Sequence, residues 1–201
     1  MKPFQDAAKD IIEAGKVLYA MGMVPATSGN FSMRVEGGNI AVTVSGRHKG
    51  QLTADDVMLV DMQGQALDDR RPSAETGLHT QIYQHMPHIN AILHPHAMNA
   101  IVLARRTGGD ITLSNYELLK ALKGITTHRT SVYIPVFEND QDIPRLAAKV
   151  QTFLDDHPQA YAYIIDGHGF YTWGETMADA LRHVEALDYL FATELNMEST
   201  R

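Results

Sequence analysis

The sequence contains no cysteine among its 201 residues. Disulfide bonds, thiolate metal ligands and cysteine nucleophiles are therefore excluded. Any metal ion held by this chain must be bound through histidine and carboxylate side chains.

Positive charge is also scarce, because 17 Lys and Arg residues stand against 24 Asp and Glu residues and the formal net charge is −7. Nucleic acids are bound mainly through accumulated basic side chains, so this balance predicts no nucleic-acid partner. A small phosphorylated substrate remains compatible with it. Backbone amides with one or two cations can hold a phosphate inside an acidic protein.

Long apolar runs are missing as well. No stretch approaches the roughly eighteen consecutive apolar residues that a transmembrane helix needs. Residues 1–6 also lack a charged segment followed by an apolar run. These absences predict a cytoplasmic protein with no membrane partner.

The apolar residues that are present recur with helical spacing in some segments and form short strand-like runs in others. Helices are predicted at residues 4–21, 75–86, 97–105, 116–122, 142–154 and 176–195, and strands at residues 30–35, 40–44, 57–61, 91–94, 131–136 and 160–165. The mixed order predicts an α+β fold of three layers, α/β/α, in which helices flank a central and largely antiparallel sheet. The length and the 44% hydrophobic content suit one domain over residues 1–201.

Three histidines follow two of the apolar runs. His94 and His96 are two residues apart at the end of one run, so in an extended backbone both rings lie on the same face. His168 stands between two glycines after another run. Either motif alone is more often an ordinary histidine pair or a glycine turn. Together they indicate three imidazole ligands with an open fourth position, which is typical of a catalytic zinc site.

Three short segments, at residues 27–30, 45–49 and 73–75, offer the amide, hydroxyl and ammonium donors that hold a phosphate. The last of them precedes a predicted helix, whose first-turn amides favour anions. Each segment alone also suits an ordinary turn or helix cap. The candidate phosphate-binding residues are Thr27, Ser28, Asn30, Ser45, Gly46, Lys49 and Ser73.

Two carboxylates, Glu75 and Glu117, lie near these motifs in the sequence, and either could be a general acid or base. The alternative is that each is a glutamate in the first turn of a helix, where the helix dipole favours it. Among the remaining histidines, His183 shares a predicted helix with charged neighbours and is predicted at a surface or subunit contact.

The motifs stand in an ordered set: Thr27-Ser28-Gly29-Asn30-Phe31-Ser32, Ser45-Gly46, Pro72-Ser73-Ala74-Glu75, His94-Pro95-His96 and Gly167-His168-Gly169. This set, within residues 21–195, resembles the class II aldolase/adducin family. The resemblance implies a class II aldolase-like fold and one zinc ion per subunit, bound by His94, His96 and His168. It also implies a ketose phosphate as substrate and a homotetramer.

Further features resemble the branch of the family that dehydrates 5-methylthioribulose 1-phosphate in methionine salvage, a hydro-lyase reaction. They lie in residues 45–50, 117–122, 139–143 and 167–174. In that branch the catalytic acid/base corresponds to Glu117, whereas the aldolases use the carboxylate that corresponds to Glu75. The chain carries both, so the alternatives stay open: a fuculose- or rhamnulose-phosphate type aldolase, a pentulose-phosphate 4-epimerase, or a non-enzymatic adducin-like scaffold.

Overall fold

The computed structural model describes residues 1–198. Its helices are α1 (Phe4–Ala20), α2 (Thr76–His85), α3 (Met98–Thr107), α4 (Ile143–Asp156) and α5 (Met177–Glu198). Its strands are β1 (Asn30–Arg34), β2 (Ile40–Thr43), β3 (Val57–Val60), β4 (Ala91–His94), β5 (Ile111–Ser114), β6 (Ser131–Ile134), β7 (Val136–Phe137), β8 (Ala162–Ile165) and β9 (Gly169–Gly174).

Seven strands form one sheet in the order β3-β2-β1-β4-β9-β8-β7. Neighbouring strands are antiparallel except for β7 and β8, which are parallel. The remaining two, β5 and β6, pair as a separate antiparallel ribbon. The central sheet is therefore largely antiparallel, as predicted.

Helices cover both faces of this sheet, and the burial of alternate strand residues shows how. In β4, Ala91 and Leu93 join the core that contains the buried residues of α1, α3 and α5. Ile92, between them, joins a second core with α2 and α4. Successive side chains of a strand point to opposite faces, so the two cores lie on the two sides of the sheet. The predicted three-layer α/β/α fold is confirmed.

Several segments differ from the prediction. The helix predicted at residues 116–122 is wrong: Glu117–Ala121 forms a 3₁₀ turn, between the left-handed residues Asn115 (φ 62°) and Gly124 (φ 91°). The strand predicted at residues 131–136 is divided at Pro135 into β6 and β7, because proline has no N–H to donate. Strands β5 and β9 were not predicted.

No helix of the described residues combines the length and the apolar character needed to cross a membrane. The single domain over residues 1–201 stays a prediction, and its residues 199–201 lie outside the described part.

Candidate metal and phosphate site

The pairing of β4 with β9 brings the three histidines together. The strands are antiparallel neighbours, so the end of β4 at His94 lies beside the start of β9, directly after His168. This approach requires a glycine at position 169. A Cβ atom there would lie 2.3 Å from the carbonyl oxygen of Pro95 and 3.2 Å from Cε1 of His94.

His94, His96 and His168 form a compact cluster. Each offers one ring nitrogen, and these nitrogens lie within 4.8 Å of one another. The ring centroids are 4.4 to 5.0 Å apart. The three side chains can therefore hold a metal ion between them.

The hydrogen bonding of His94 prepares one nitrogen as a ligand. Its Nδ1 lies 2.9 Å from the carbonyl oxygen of Phe170, and a carbonyl only accepts, so Nδ1 donates. Burial lowers the pKa of His94 to about 4 although the Glu75 carboxylate opposes this. The ring is therefore neutral at pH 7 and its Nε2 carries no proton. Histidines that bind metals commonly donate their other N–H to a backbone carbonyl in this way.

Electron pairs converge on the space beside this nitrogen. Nε2 of His94 lies 3.4 Å from Nε2 of His168 and 3.3 Å from Oε2 of Glu75. Nε2 of His168 lies 3.5 Å from Oε1 of Glu75. The unshared pairs of His94 Nε2 and Glu75 Oε2 repel each other at this distance unless a cation lies between them. The donor set therefore fits a metal ion.

The protonation states agree with this interpretation. Burial lowers the pKa of His96 to about 3, and the neighbouring imidazoles add to the effect. Burial acts to raise the pKa of Glu75, but the imidazoles of His94 and His168 and the amide of Asn30 outweigh it and hold that pKa at about 2. At neutral pH the site thus presents neutral imidazoles at His94 and His96 and an ionised carboxylate at Glu75, the forms that bind cations.

A cavity of about 340 Å³ opens beside the cluster and is lined by His96, His168 and Glu75. Of the seven candidate phosphate-binding residues, the cavity wall includes Thr27, Asn30, Ser45, Gly46, Lys49 and Ser73. Ser28 is not among the lining residues, and its hydroxyl donates to the carbonyl oxygen of Pro25 at 2.6 Å. The sequence-distant loops therefore meet around one space next to the histidines.

Lys49 gives this cavity a buried cation. Its side chain is 2% exposed, and Nζ donates to the carbonyl oxygens of Thr27 at 2.8 Å and Arg47 at 2.6 Å. Burial lowers the pKa of Lys49 to about 8. Among the described residues no carboxylate lies within ion-pair distance of it. An anion in the cavity would supply the missing counter-charge.

Glu117 lies elsewhere in the same chain. Its side chain is exposed on the 3₁₀ turn, with Oε1 2.6 Å from Nζ of Lys120 and Oε2 3.6 Å from Nδ1 of His128. It lines a separate surface groove along α5 with residues such as Arg182 and Tyr189. Within one chain, the structure brings Glu75 to the histidines and does not bring Glu117 there.

Comparison with known proteins identifies the family to which this chain belongs. The family profile described as "Class II Aldolase and Adducin N-terminal domain" matches residues 9–195. The chain belongs to the class II aldolase/adducin family. Its relatives include proteins named methylthioribulose-1-phosphate dehydratase. The one from Methylococcus capsulatus is 57% identical over 98% of this chain and 97% of its own. The one from Pseudomonas savastanoi is 53% identical over 94% of each.

Solved structures with the same fold include L-fuculose-1-phosphate aldolase from Thermus thermophilus. It has a TM-score of 0.78 and 23% identity, and the match covers 97% of this chain and 96% of that one. YgbL from Klebsiella pneumoniae gives a TM-score of 0.83 at 22% identity, covering 98% and 92%. At this level of identity the likeness supports the class II aldolase fold alone.

In this class II aldolase-like chain, sequence reasoning missed two residues that contact the site. The ring of Tyr171 stacks on His94 with centroids 4.0 Å apart and 13° between the planes. His79 is fully buried and bonded to Asn30. Both have a sequence signal. Tyr171 lies two residues after Gly169 and therefore on the same face of β9. His79 lies four residues after Glu75, one turn along α2.

His183 differs from its prediction. It is 3% exposed, not at a surface. Its Nδ1 donates to the carbonyl oxygen of Trp173 at 2.8 Å, and its Nε2 accepts from the backbone N–H of Lys123 at 3.1 Å. The ring links β9 to the loop before β6, which is a structural role.

Proposed function

We propose that this chain is a zinc-dependent hydro-lyase that converts 5-methylthioribulose 1-phosphate to 2,3-diketo-5-methylthiopentyl 1-phosphate in methionine salvage. The observation that carries the proposal is the full-length similarity, at 57% and 53% identity, to proteins named for this dehydration. The histidine cluster beside a cavity lined by phosphate-type donors supports it.

The proposed metal is zinc, one ion per subunit, bound by His94, His96 and His168. Zinc binds imidazole nitrogens at about 2.0–2.1 Å in tetrahedral geometry, which sets two such nitrogens about 3.3–3.4 Å apart. The observed separation between Nε2 of His94 and Nε2 of His168 is 3.4 Å. Zinc would supply Lewis-acid polarisation of the substrate carbonyl. Metal analysis tests the assignment: wild-type protein should contain about one zinc per chain, and His96→Ala should lose it.

The residues of the chain itself then bind and orient the substrate. Ammonium, hydroxyl and amide groups from Lys49, Ser45 and Ser73 would hold the phosphate at one end of the cavity, with Thr27, Asn30 and Gly46 beside them. Ser28 keeps its predicted role only through its backbone or after its hydroxyl changes partner, since the hydroxyl is bonded to Pro25. This anchoring would place the C2 carbonyl and the C3 hydroxyl next to the histidines.

The dehydration also needs a base that removes the C3 proton and an acid that protonates the departing C4 hydroxyl. We assign the base to Glu117, and Glu75 orients the substrate or shares the proton transfer. Because Glu117 lies outside the cavity of its own chain, the assignment requires that it enter the site of a neighbouring subunit. A homotetramer with sites at subunit boundaries meets this requirement. The cytoplasmic location stays a prediction.

A second candidate function is a sugar-phosphate aldolase reaction, and one observation favours it. Glu75, the carboxylate that the aldolases are expected to use, lies 3.3 and 3.5 Å from the ring nitrogens of His94 and His168. In that case the same site would break a carbon–carbon bond, and Glu117 would have no part in the chemistry.

Product analysis separates these functions. The purified protein is incubated with 5-methylthioribulose 1-phosphate, and in parallel with fuculose 1-phosphate and ribulose 5-phosphate, and the products are identified by mass. The proposal expects a product lighter by one water from the first substrate only. Cleavage of fuculose 1-phosphate into two fragments, with no dehydration, would establish the aldolase instead.

Solvent exchange then assigns the base. Glu117→Gln keeps the shape of the side chain but cannot accept the C3 proton, so exchange of the C3 hydrogen with deuterated solvent should fall about 10²–10⁴-fold with zinc still bound. Glu75→Gln should reduce it less. Wild-type exchange in Glu117→Gln, with exchange lost in Glu75→Gln, would move the base to Glu75.

A further inference from the structure

A chain of hydrogen bonds runs from the core to Glu75. Tyr83 Oη lies 2.9 Å from Ser32 Oγ, which lies 2.7 Å from His79 Nδ1. His79 Nε2 is hydrogen-bonded to Asn30 Oδ1. Asn30 Nδ2 donates to Glu75 Oε2 at 2.8 Å. The four residues before Glu75 are at most 5% exposed: Tyr83, Ser32, His79 and Asn30. The series of hydrogen bonds ends at the Glu75 carboxylate, which lines the cavity.

Two elements supply the whole chain of bonds. Glu75, His79 and Tyr83 are spaced by four residues, from the residue that precedes α2 along one face of that helix. Asn30 and Ser32 are two residues apart on β1, so both side chains point to the α2 side of the sheet. The helix and the strand therefore contribute alternate members of this series of hydrogen bonds.

The direction of every bond follows from the two ends. A carboxylate only accepts, so Asn30 must donate its N–H to Glu75 and present its oxygen to His79. His79 then donates from Nε2, and its neutral ring accepts at Nδ1 from the Ser32 hydroxyl. Ser32 has used its single proton, so Tyr83 donates to Ser32. Each member has one arrangement that satisfies its neighbours, and rotation of Glu75 or Asn30 would break the pattern.

We propose that His79 is a positioning residue that acts through Asn30 to hold the Glu75 carboxylate at the orientation required beside the metal-binding histidines. The inference rests on the proposed function, in which Glu75 orients the substrate or moves a proton. His79 itself has no contact with the cavity, since it is fully buried and is not among the lining residues. Its influence on the reaction therefore passes through the Asn30 amide.

The test compares three variants of the zinc-loaded protein. His79→Leu removes the donor to Asn30, and should lower kcat by about 10–100-fold, as is typical when the partner behind an active-site group is removed. KM and zinc content should change less than about twofold. His79→Gln, which can still present an N–H to Asn30, should recover most of kcat. The matched control is His183→Leu, because His183 is also buried but is bonded to Trp173 and Lys123.

A second readout follows Glu75 directly. The side-chain carboxyl carbon of Glu75 is observed by NMR in protein labelled with ¹³C-glutamate and is assigned by its loss in Glu75→Gln. The resonance should shift or broaden in His79→Leu, return toward its wild-type position in His79→Gln and stay in place in His183→Leu. If His79→Leu does not fold, Ser32→Ala, which removes the donor to His79 Nδ1 and the acceptor for Tyr83 but leaves the His79 ring in place, should show the same effects at smaller size.

The outcomes distinguish the two proposals. A wild-type protein that dehydrates none of the offered substrates, but whose Glu75 resonance responds to His79→Leu as described, would refute the function and leave the positioning role intact. An active protein in which His79→Leu changes neither kcat nor the resonance would overturn the positioning role. Equal losses of kcat in His79→Leu and His183→Leu would also overturn it, because they would reveal general destabilisation.

Discussion

Lys49 combines burial with a charge that has no carboxylate partner among the described residues. Its ammonium group donates to two backbone carbonyls, and desolvation lowers its pKa from 10.5 to about 8. Between these two pH values the unfolded chain holds the proton and the folded chain loses it, so the unfolded state binds more protons. The contribution of Lys49 to stability therefore rises with pH over that window.

Substrate binding should have the opposite dependence, because a phosphate needs the protonated lysine. We predict that kcat/KM, which reports the free enzyme, falls as the pH rises above about 8. Lys49→Met keeps the length of the side chain without its charge. At pH 7 it should lower kcat/KM by roughly 10–100-fold, since a hydrogen bond to a charged group contributes about 1.5–3 kcal/mol.

The comparison is made by initial rates across the pH range, with Lys16→Met as the control. Lys16 is exposed on α1 and paired with Glu13. The break near pH 8 should persist in that control and disappear in Lys49→Met. An unchanged break in Lys49→Met would assign it to a different group.

At the scale of elements, the site depends on how closely β9 approaches the end of β4. Gly169 allows this approach, because any larger residue would place Cβ against the Pro95 carbonyl. The neighbouring strand β1 adds Asn30, which is paired in register with His94. The pairing of β1, β4 and β9 therefore fixes His94 and brings the adjoining segments that carry His96 and His168 beside it.

We predict that Gly169→Ala separates β9 from β4, since a 2.3 Å contact with backbone cannot be relieved by a side-chain rotation. The free energy of unfolding should fall by roughly 1–3 kcal/mol, as in other overpacked sites, and zinc content should fall with it. Urea denaturation and metal analysis measure the two effects. Gly109→Ala is the control, because a Cβ there meets nothing within 4 Å. Wild-type zinc content in Gly169→Ala would contradict this account.

The elements differ in how far sequence could predict them. Helix α1 and strand β4 were predicted to within a residue or two because their apolar residues keep a regular period. Strand β9 was missed because it is buried on both faces, which removes the alternation that marks a half-exposed strand. The 3₁₀ turn at Glu117–Ala121 was predicted as a helix because a single turn has the same local spacing as a longer one.

The site was predictable to the extent that its residues lie in short motifs. His94 and His96 are two residues apart at the end of one strand, whereas the bonds of His79 join residues that are 47 and 49 positions away. Contacts at such separations are set by the packing of α2 on β1, which no local pattern encodes. Under the proposed function, the entry of Glu117 into a site would depend on contacts between chains, which no local pattern encodes either.

At the scale of the whole molecule, the surface around Glu117 suits an interface between subunits. Glu117 lines a groove with Leu118 and Tyr189, which are 37% and 65% exposed. Exposed apolar side chains that lie together in one groove, as these two do, commonly mark contact surfaces. If a second copy packs there, Glu117 can reach a cavity that it does not reach in its own chain.

Subunit mixing tests this arrangement. Glu117→Gln and His96→Ala should each be inactive alone, since one lacks the base and the other a metal ligand. When the two chains are co-expressed with different tags and mixed oligomers are purified through both tags, some sites should pair the intact histidines of one chain with the intact Glu117 of the other. With random assembly of equal amounts, roughly a quarter of the sites should be complete, because each site draws its two halves from different subunits.

The control for this experiment mixes Glu75→Gln with His96→Ala. Glu75 lies against the histidines of its own chain, so no site of that mixture can contain both intact residues, and activity should stay at the level of the separate variants. Recovery in the Glu117→Gln mixture alone would mean that Glu117 serves a neighbouring subunit. If mixed oligomers form and neither mixture recovers, Glu117 does not serve a neighbouring subunit, and in its own chain it lies outside the cavity. Glu75, which already lies beside the three histidines, would then be the carboxylate that performs the proton transfer.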